Sequence, residues 1–207
     1  MHPQAPRRTT HAYGTPANLL VYDRWGRFGR PVVLLHGLLY DRTMWWPVAA
    51  DMGGSCSVLA VDLPGHGQSA PRGDYAVESL AQDLAMIING LDLHRAPVLV
   101  AHAESVVLAE AFADSYATKT VISVDVPATA APAATVESHL ATADLGTIPE
   151  PYRQFAVARR DASLLHAYRS WFSKPRTRRA SSRPVSPTGF PHLRSPARFA
   201  RSVRDLV

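Results

Sequence analysis

Four short runs of almost purely apolar residues constrain this chain most: Val32–Leu35, Val58–Val61, Val98–Val100 and Val121–Val124. A strand with one wet face alternates polar and apolar residues, whereas a run that is apolar throughout must be covered on both faces. Between these runs the apolar residues change to helical spacing. Residues 77–91 place Leu80, Leu84, Ile87, Ile88 and Leu91 on one side, and residues 104–116 do the same with Val107, Leu108, Ala111 and Phe112. Leu19–Tyr22 reads as an earlier strand, and residues 196–206 regain helical spacing through Phe199, Val203 and Leu206. Strands that alternate with helices predict an α/β fold, a doubly wound and mostly parallel sheet between two helical layers. At 207 residues and 46% hydrophobic content, the chain can bury one substantial core.

Bulk properties exclude several classes. No apolar run approaches the length of a membrane span, and Arg7 and Arg8 precede no apolar segment that would make a secretory leader. A single cysteine, Cys56, excludes an internal disulfide framework and predicts a reducing, cytoplasmic setting. The net charge of +5 is local: nine of the 22 basic residues, but one of the 17 acids, lie in residues 171–207, leaving the body slightly acidic. Composition divides the chain into an N-terminal extension (1–18), a core (19–127), a partial cap (128–172), a basic Pro/Arg/Ser-rich segment expected to be disordered (173–187) and a terminal helical segment (188–207).

Three local patterns then occur in order, each at the end of an expected strand. They are Leu34-Leu-His36-Gly37, Val61-Asp-Leu-Pro-Gly-His-Gly-Gln-Ser69, and Val100-Ala-His-Ala-Glu-Ser105. At this spacing they closely resemble the α/β-hydrolase family, whose third, fourth and fifth strands carry them. The esterases, carbon–carbon hydrolases and haloperoxidase-like enzymes of that family are the nearest in pattern. The stretch Phe190-Pro-His-Leu193, before the last helix, is similar to the family's closing segment.

That resemblance implies roles for particular positions. The nucleophile elbow, G-x-S-x-G, puts a serine on a sharp strand-to-helix turn flanked by small residues. Here Ala101, Ala103 and Ser105 occupy the corresponding places, so the small residues persist and the reactive oxygen does not. The oxyanion and pocket positions fall on His36, Gly37, Leu38, His102 and Glu104, with Leu38 and Glu104 supplying backbone donors. A carboxylate at Glu104 stands beside the place where negative charge would develop, which opposes stabilisation of that charge. Aligning the closing segment puts Gly189 at the position of the catalytic base, and His192 at a second, packing histidine. The acid normally follows a seventh strand, and the basic segment occupies that region; Asp125, after the sixth strand, is the remaining acid candidate. The resemblance therefore implies a sheet lacking its C-terminal strands, an incomplete cap, and a catalytically impaired family member with a small apolar or ester-like ligand.

Alternatives remain open at this stage. Ser105 with a nearby histidine would make a hydrolase of small esters using non-standard residues. Arg176, Arg178, Arg179 and Arg183 would suit phosphates of nucleic acid or an anionic membrane, although no aromatic residues interleave with them. His36, Asp62, His66 and His102 leave the same sheet edge, yet they lack the close ligand spacings of a metal site. No metal and no cofactor are expected. With no strand beyond it, Val121–Val124 would be an exposed apolar edge suited to a homodimer.

Overall fold

A computed structural model of the chain describes residues 7–125, 145–159, 161–172 and 190–207, together with the backbone of residues 182–185. Seven strands form one sheet: β1 (Thr9–Tyr13), β2 (Leu20–Trp25), β3 (Pro31–Leu35), β4 (Ser57–Val61), β5 (Val98–His102), β6 (Thr120–Val124) and β7 (Ser182–Val185). Their order is β1-β2-β4-β3-β5-β6-β7. β1 and β2 are antiparallel to each other and β2 is antiparallel to β4; every later pairing is parallel.

The helices are α1 (Trp46–Met52), α2 (Val77–Asn89), α3 (Val106–Ser115), α4 (Glu150–Arg153), α5 (Ala162–Ala167), α6 (Arg169–Phe172), α7 (Pro191–Arg194) and α8 (Pro196–Arg204). Alternation along β3 shows why its sequence is apolar throughout. Val33 and Leu35 enter one core layer with Leu80, Leu84, Leu108 and Phe112 of α2 and α3. Val32 and Leu34 enter the other, with Val48 and Met52 of α1 and Phe199 and Val203 of α8. Each face buries a complete layer, so no position of the strand can be polar without an interior partner.

The structure departs from the sequence expectation in three places. Within the presumed N-terminal extension, Thr9–Tyr13 adds to the sheet as β1. Its residues are almost all exposed, so no apolar pattern announces it. α1 is a seven-residue helix with Pro47 in its first turn, too short for a helical period to stand out. Finally, Ser182–Val185 of the basic segment pairs with β6 as β7, so β6 is paired on both sides and the sheet runs one strand further than patterning indicates. Only one side of β7 is paired within the sheet, which is where a strand tolerates Pro184. The remainder of residues 173–187, most of the cap region before residue 145, and Gly189 lie outside the described residues.

Candidate active site

The carboxyl ends of β3, β4, β5 and β6 bring the expected residues to one edge of the sheet, the usual place for a ligand in an open α/β sheet. Two buried histidines brace it. The Leu63 N–H donates to His36 Nε2 at 3.0 Å, which leaves His36 Nδ1–H to donate to the Gly37 carbonyl at 2.8 Å. His66 repeats the arrangement: Leu39 N–H donates to its Nε2 at 3.1 Å, and its Nδ1 faces the Pro64 carbonyl at 3.1 Å. Each ring thereby has one accepting and one donating nitrogen, the pattern of a neutral imidazole. Burial lowers both from the usual histidine range, with His66 pushed down to about 3. Both rings are consumed by backbone hydrogen bonds and support loops rather than reacting groups.

Below them lies a buried ion cluster. The Arg42 backbone N–H and the Gln68 N–H donate to Asp62 at 2.7 and 2.8 Å, and the Arg42 guanidinium pairs with the same carboxylate. Arg42 Nε also lies 3.0 Å from Asp23, which accepts from Trp46 Nε1 at 2.8 Å and from Thr10 at 2.6 Å. At Gly67 (φ +51°) a β-carbon would fall 2.1 Å from the Asp62 carboxylate, so the turn has no room for any other residue. Here the Gly-rich motif encloses a carboxylate belonging to the fold.

At the end of β5 the chain turns sharply. Ala103 is held at φ +51°, in the left-handed region that an alanine rarely occupies. The turn is strained, with a methyl group at the position where the resemblance expects a nucleophile. Ser105, the nearest hydroxyl in sequence, is fully buried, and its Oγ donates to the His36 carbonyl. That bond ties the β5 turn to the β3 turn and points the hydroxyl into the protein.

Around Ala103 stand the other expected residues. The His102 ring lies so close to Gly37 that a β-carbon there would sit 2.6 Å from Nδ1. It stacks on Phe190 at 5.5 Å and 11°, meets the Tyr40 ring edge-on at 5.8 Å, and places Nε2 3.8 Å from Asp125. Asp125 follows β6 at φ +50°. Leu38 N–H points at Glu104, whose Oε2 lies 3.4 Å away. Burial, reinforced by the charges of Glu104 and Asp125, raises the Tyr40 phenol well above the usual tyrosine range.

His192 meets the far side of this cluster, its ring edge-on to His102 with centroids 5.5 Å apart. It is fully buried against Trp45, with ring centroids 4.3 Å apart, and neither ring nitrogen has a hydrogen-bond partner. Desolvation, with a smaller contribution from His102, depresses its pKa strongly. This is the packing role expected for the second histidine of the closing segment. Among the described residues, no group of three or more His, Cys, Asp or Glu is placed to hold a metal ion. None of the described helices is long and apolar enough to cross a membrane.

The structure thus gathers Ala103, His36, Gly37, Leu38, His102, Glu104 and Asp125, while Gly189 lies outside the described residues. Sequence patterns missed Tyr40 and Arg42, which acquire their neighbours only when the loops assemble; Phe190 was legible as part of the closing segment, but its stacking on His102 was not.

Comparison with known proteins bears on the fold. A profile of the alpha/beta hydrolase family matches residues 32–103, from β3 to the elbow. Over that third of the chain it is similar to the α/β-hydrolase family, and the fold is of α/β-hydrolase type. An uncharacterized protein of Mycobacterium tuberculosis is 36% identical over 72 residues, covering 34% of this chain and 21% of its own length. The dihydrolipoyllysine-residue acetyltransferase component of an acetoin cleaving system from Pseudomonas putida is 33% identical over 78 residues, 36% of this chain and 20% of that protein. The matched segment therefore spans about a fifth of these relatives. Solved structures extend the likeness of the fold to nearly the whole chain. A putative aryl esterase from Burkholderia cenocepacia superposes with a TM-score of 0.69 at 21% identity, over 95% of this chain and 97% of that one. The thioesterase domain from the curacin biosynthetic pathway gives 0.68 at 18%, over 96% and 99%.

Proposed function

We propose that this α/β-hydrolase-family protein no longer performs acyl transfer and keeps the remnant of an acyl-binding site. The observation that carries the reading is Ala103 at φ +51°, the strained elbow conformation without an attacking oxygen. A serine hydrolase needs Oγ at that point to attack a carbonyl, with a histidine to take its proton. Ser105 does not replace it, because its hydroxyl is already donated to the His36 carbonyl. His36 and His66 are occupied by backbone partners, and His192 is sealed beside Trp45. Triad members act as a unit, so the joint loss of nucleophile and base costs orders of magnitude in rate. The ligand we assign to the remnant is small, apolar and ester-like. The single, buried Cys56 supports a cytoplasmic setting.

A second reading has one observation in its favour: His102 Nε2 faces Asp125 at 3.8 Å, an arrangement with the components of a histidine–acid pair. In that reading the protein is a hydrolase of small esters built on His102, Asp125 and Ser105. A serine-directed fluorophosphonate separates the two. The first predicts no covalent adduct by intact-mass measurement on folded protein. An adduct mapped to Ser105 and lost in Ser105→Ala would replace the first reading with the second.

A further inference from the structure

The turn after β3 holds Leu38 in one direction. Tyr40 N–H returns to the Gly37 carbonyl at 3.1 Å, Leu39 sits at φ +71°, and its N–H is anchored on His66. Between these fixed points the Leu38 N–H is aimed across the elbow, where it meets Glu104 Oε2 at 3.4 Å. Leu38 and Glu104 are both buried. A carboxylate oxygen of the chain therefore stands on the donor that, by resemblance, would polarise an acyl oxygen. The geometry points to Glu104 as an internal occupant of the oxyanion hole: its carboxylate stands in the place of a ligand oxyanion and disfavours carboxylate ligands there. This rests on the reading of the site as a former acyl site, and it adds a specificity determinant that loss of the nucleophile does not entail.

Two physical effects act together. The Leu38 N–H is already engaged, and a ligand anion entering beside Glu104 meets a like charge in a poorly solvated space. Removing the carboxylate frees the donor and lifts the repulsion. Replacing it by an amide lifts only the repulsion, because an amide oxygen still accepts from Leu38.

The test is sodium butyrate binding, followed by ligand-observed NMR at pH 7.5, to wild type, Glu104→Ala and Glu104→Gln. Thermal melts establish that each protein is folded. We expect Glu104→Ala to bind butyrate at least tenfold tighter than wild type, with Glu104→Gln between them. Equal affinity in all three folded proteins, or no binding by folded Glu104→Ala, overturns the occupancy of the hole. If Glu104→Ala does not fold, Glu104→Gln decides: tighter binding than wild type supports the proposal and equal binding overturns it. Because the readout is binding, its failure leaves the reading of lost catalysis intact, whereas covalent labelling by fluorophosphonate overturns that reading by itself.

Discussion

Acidification from pH 7.5 to 5.5 is expected to remove a large part of this protein's stability. Three buried histidines, His36, His66 and His192, have their pKa lowered in the folded state chiefly by burial. In the unfolded chain they titrate near the ordinary value of about 6.5. Above that value neither state binds a proton and the three rings make no pH-dependent contribution. As the pH falls below it, the unfolded chain takes up protons that the folded rings resist, so stability declines. Each ring that stays neutral contributes a loss of up to about 1.4 kcal/mol between pH 7.5 and 5.5, so three approach about 4 kcal/mol. That is a large fraction of the roughly 5–15 kcal/mol by which domains are stable. Urea midpoints across this range should fall steadily, and His192→Leu should reduce the slope by about a third. A midpoint unchanged between pH 7.5 and 5.5 would contradict the neutral assignment of these rings.

Replacing Arg42 by alanine should cost about 3–5 kcal/mol, the scale for breaking a buried ion pair by removing one partner. The guanidinium lies between Asp62 and Asp23, both fully buried. Without it, Asp62 retains the backbone donors of Arg42 and Gln68, and Asp23 retains Trp46 and Thr10. Those neutral donors do not compensate two buried negative charges. Arg42→Lys should recover only part of the loss, since an ammonium cannot reach both carboxylates in the planar geometry of a guanidinium. The difference is read from urea midpoints with the denaturant slope unchanged. A loss below about 0.5 kcal/mol, the range of ordinary surface substitutions, would show that the cluster is incidental to the fold.

What could be read from the sequence follows from which elements bury two faces. β3, β4, β5 and β6 were legible because each is covered on both sides and must be apolar along its length. The strand β1 was not, because Thr9–Tyr13 lies at the sheet margin, nearly all exposed, and its residues show no apolar alternation. β7 was hidden for a related reason: Ser-Arg-Pro-Val has neither alternation nor apolar continuity, and backbone pairing with β6 leaves no periodic trace. At the site, His36-Gly37, the turn around Asp62 and the elbow at Ala103 were legible because each is a contiguous motif. The environment that decides their chemistry was not. Arg42 reaches across 20 residues to Asp62, and Phe190 reaches the His102 ring from the far end of the chain. The contact between Glu104 and Leu38 joins two motifs, so it emerges only when the turns after β3 and β5 are adjacent.

The most direct test of the account is hydrolysis of a short acyl ester by folded wild type and by Ala103→Ser, against a protein-free blank. No turnover above the blank is expected for wild type, because a methyl group stands where an attacking oxygen is needed. None is expected for Ala103→Ser either, since among the described residues His36 and His66 are taken up by backbone bonds, His192 is packed on Trp45, and the Leu38 donor still faces Glu104. Wild-type turnover that disappears in Ser105→Ala or His102→Ala would contradict the account and establish a rearranged active site.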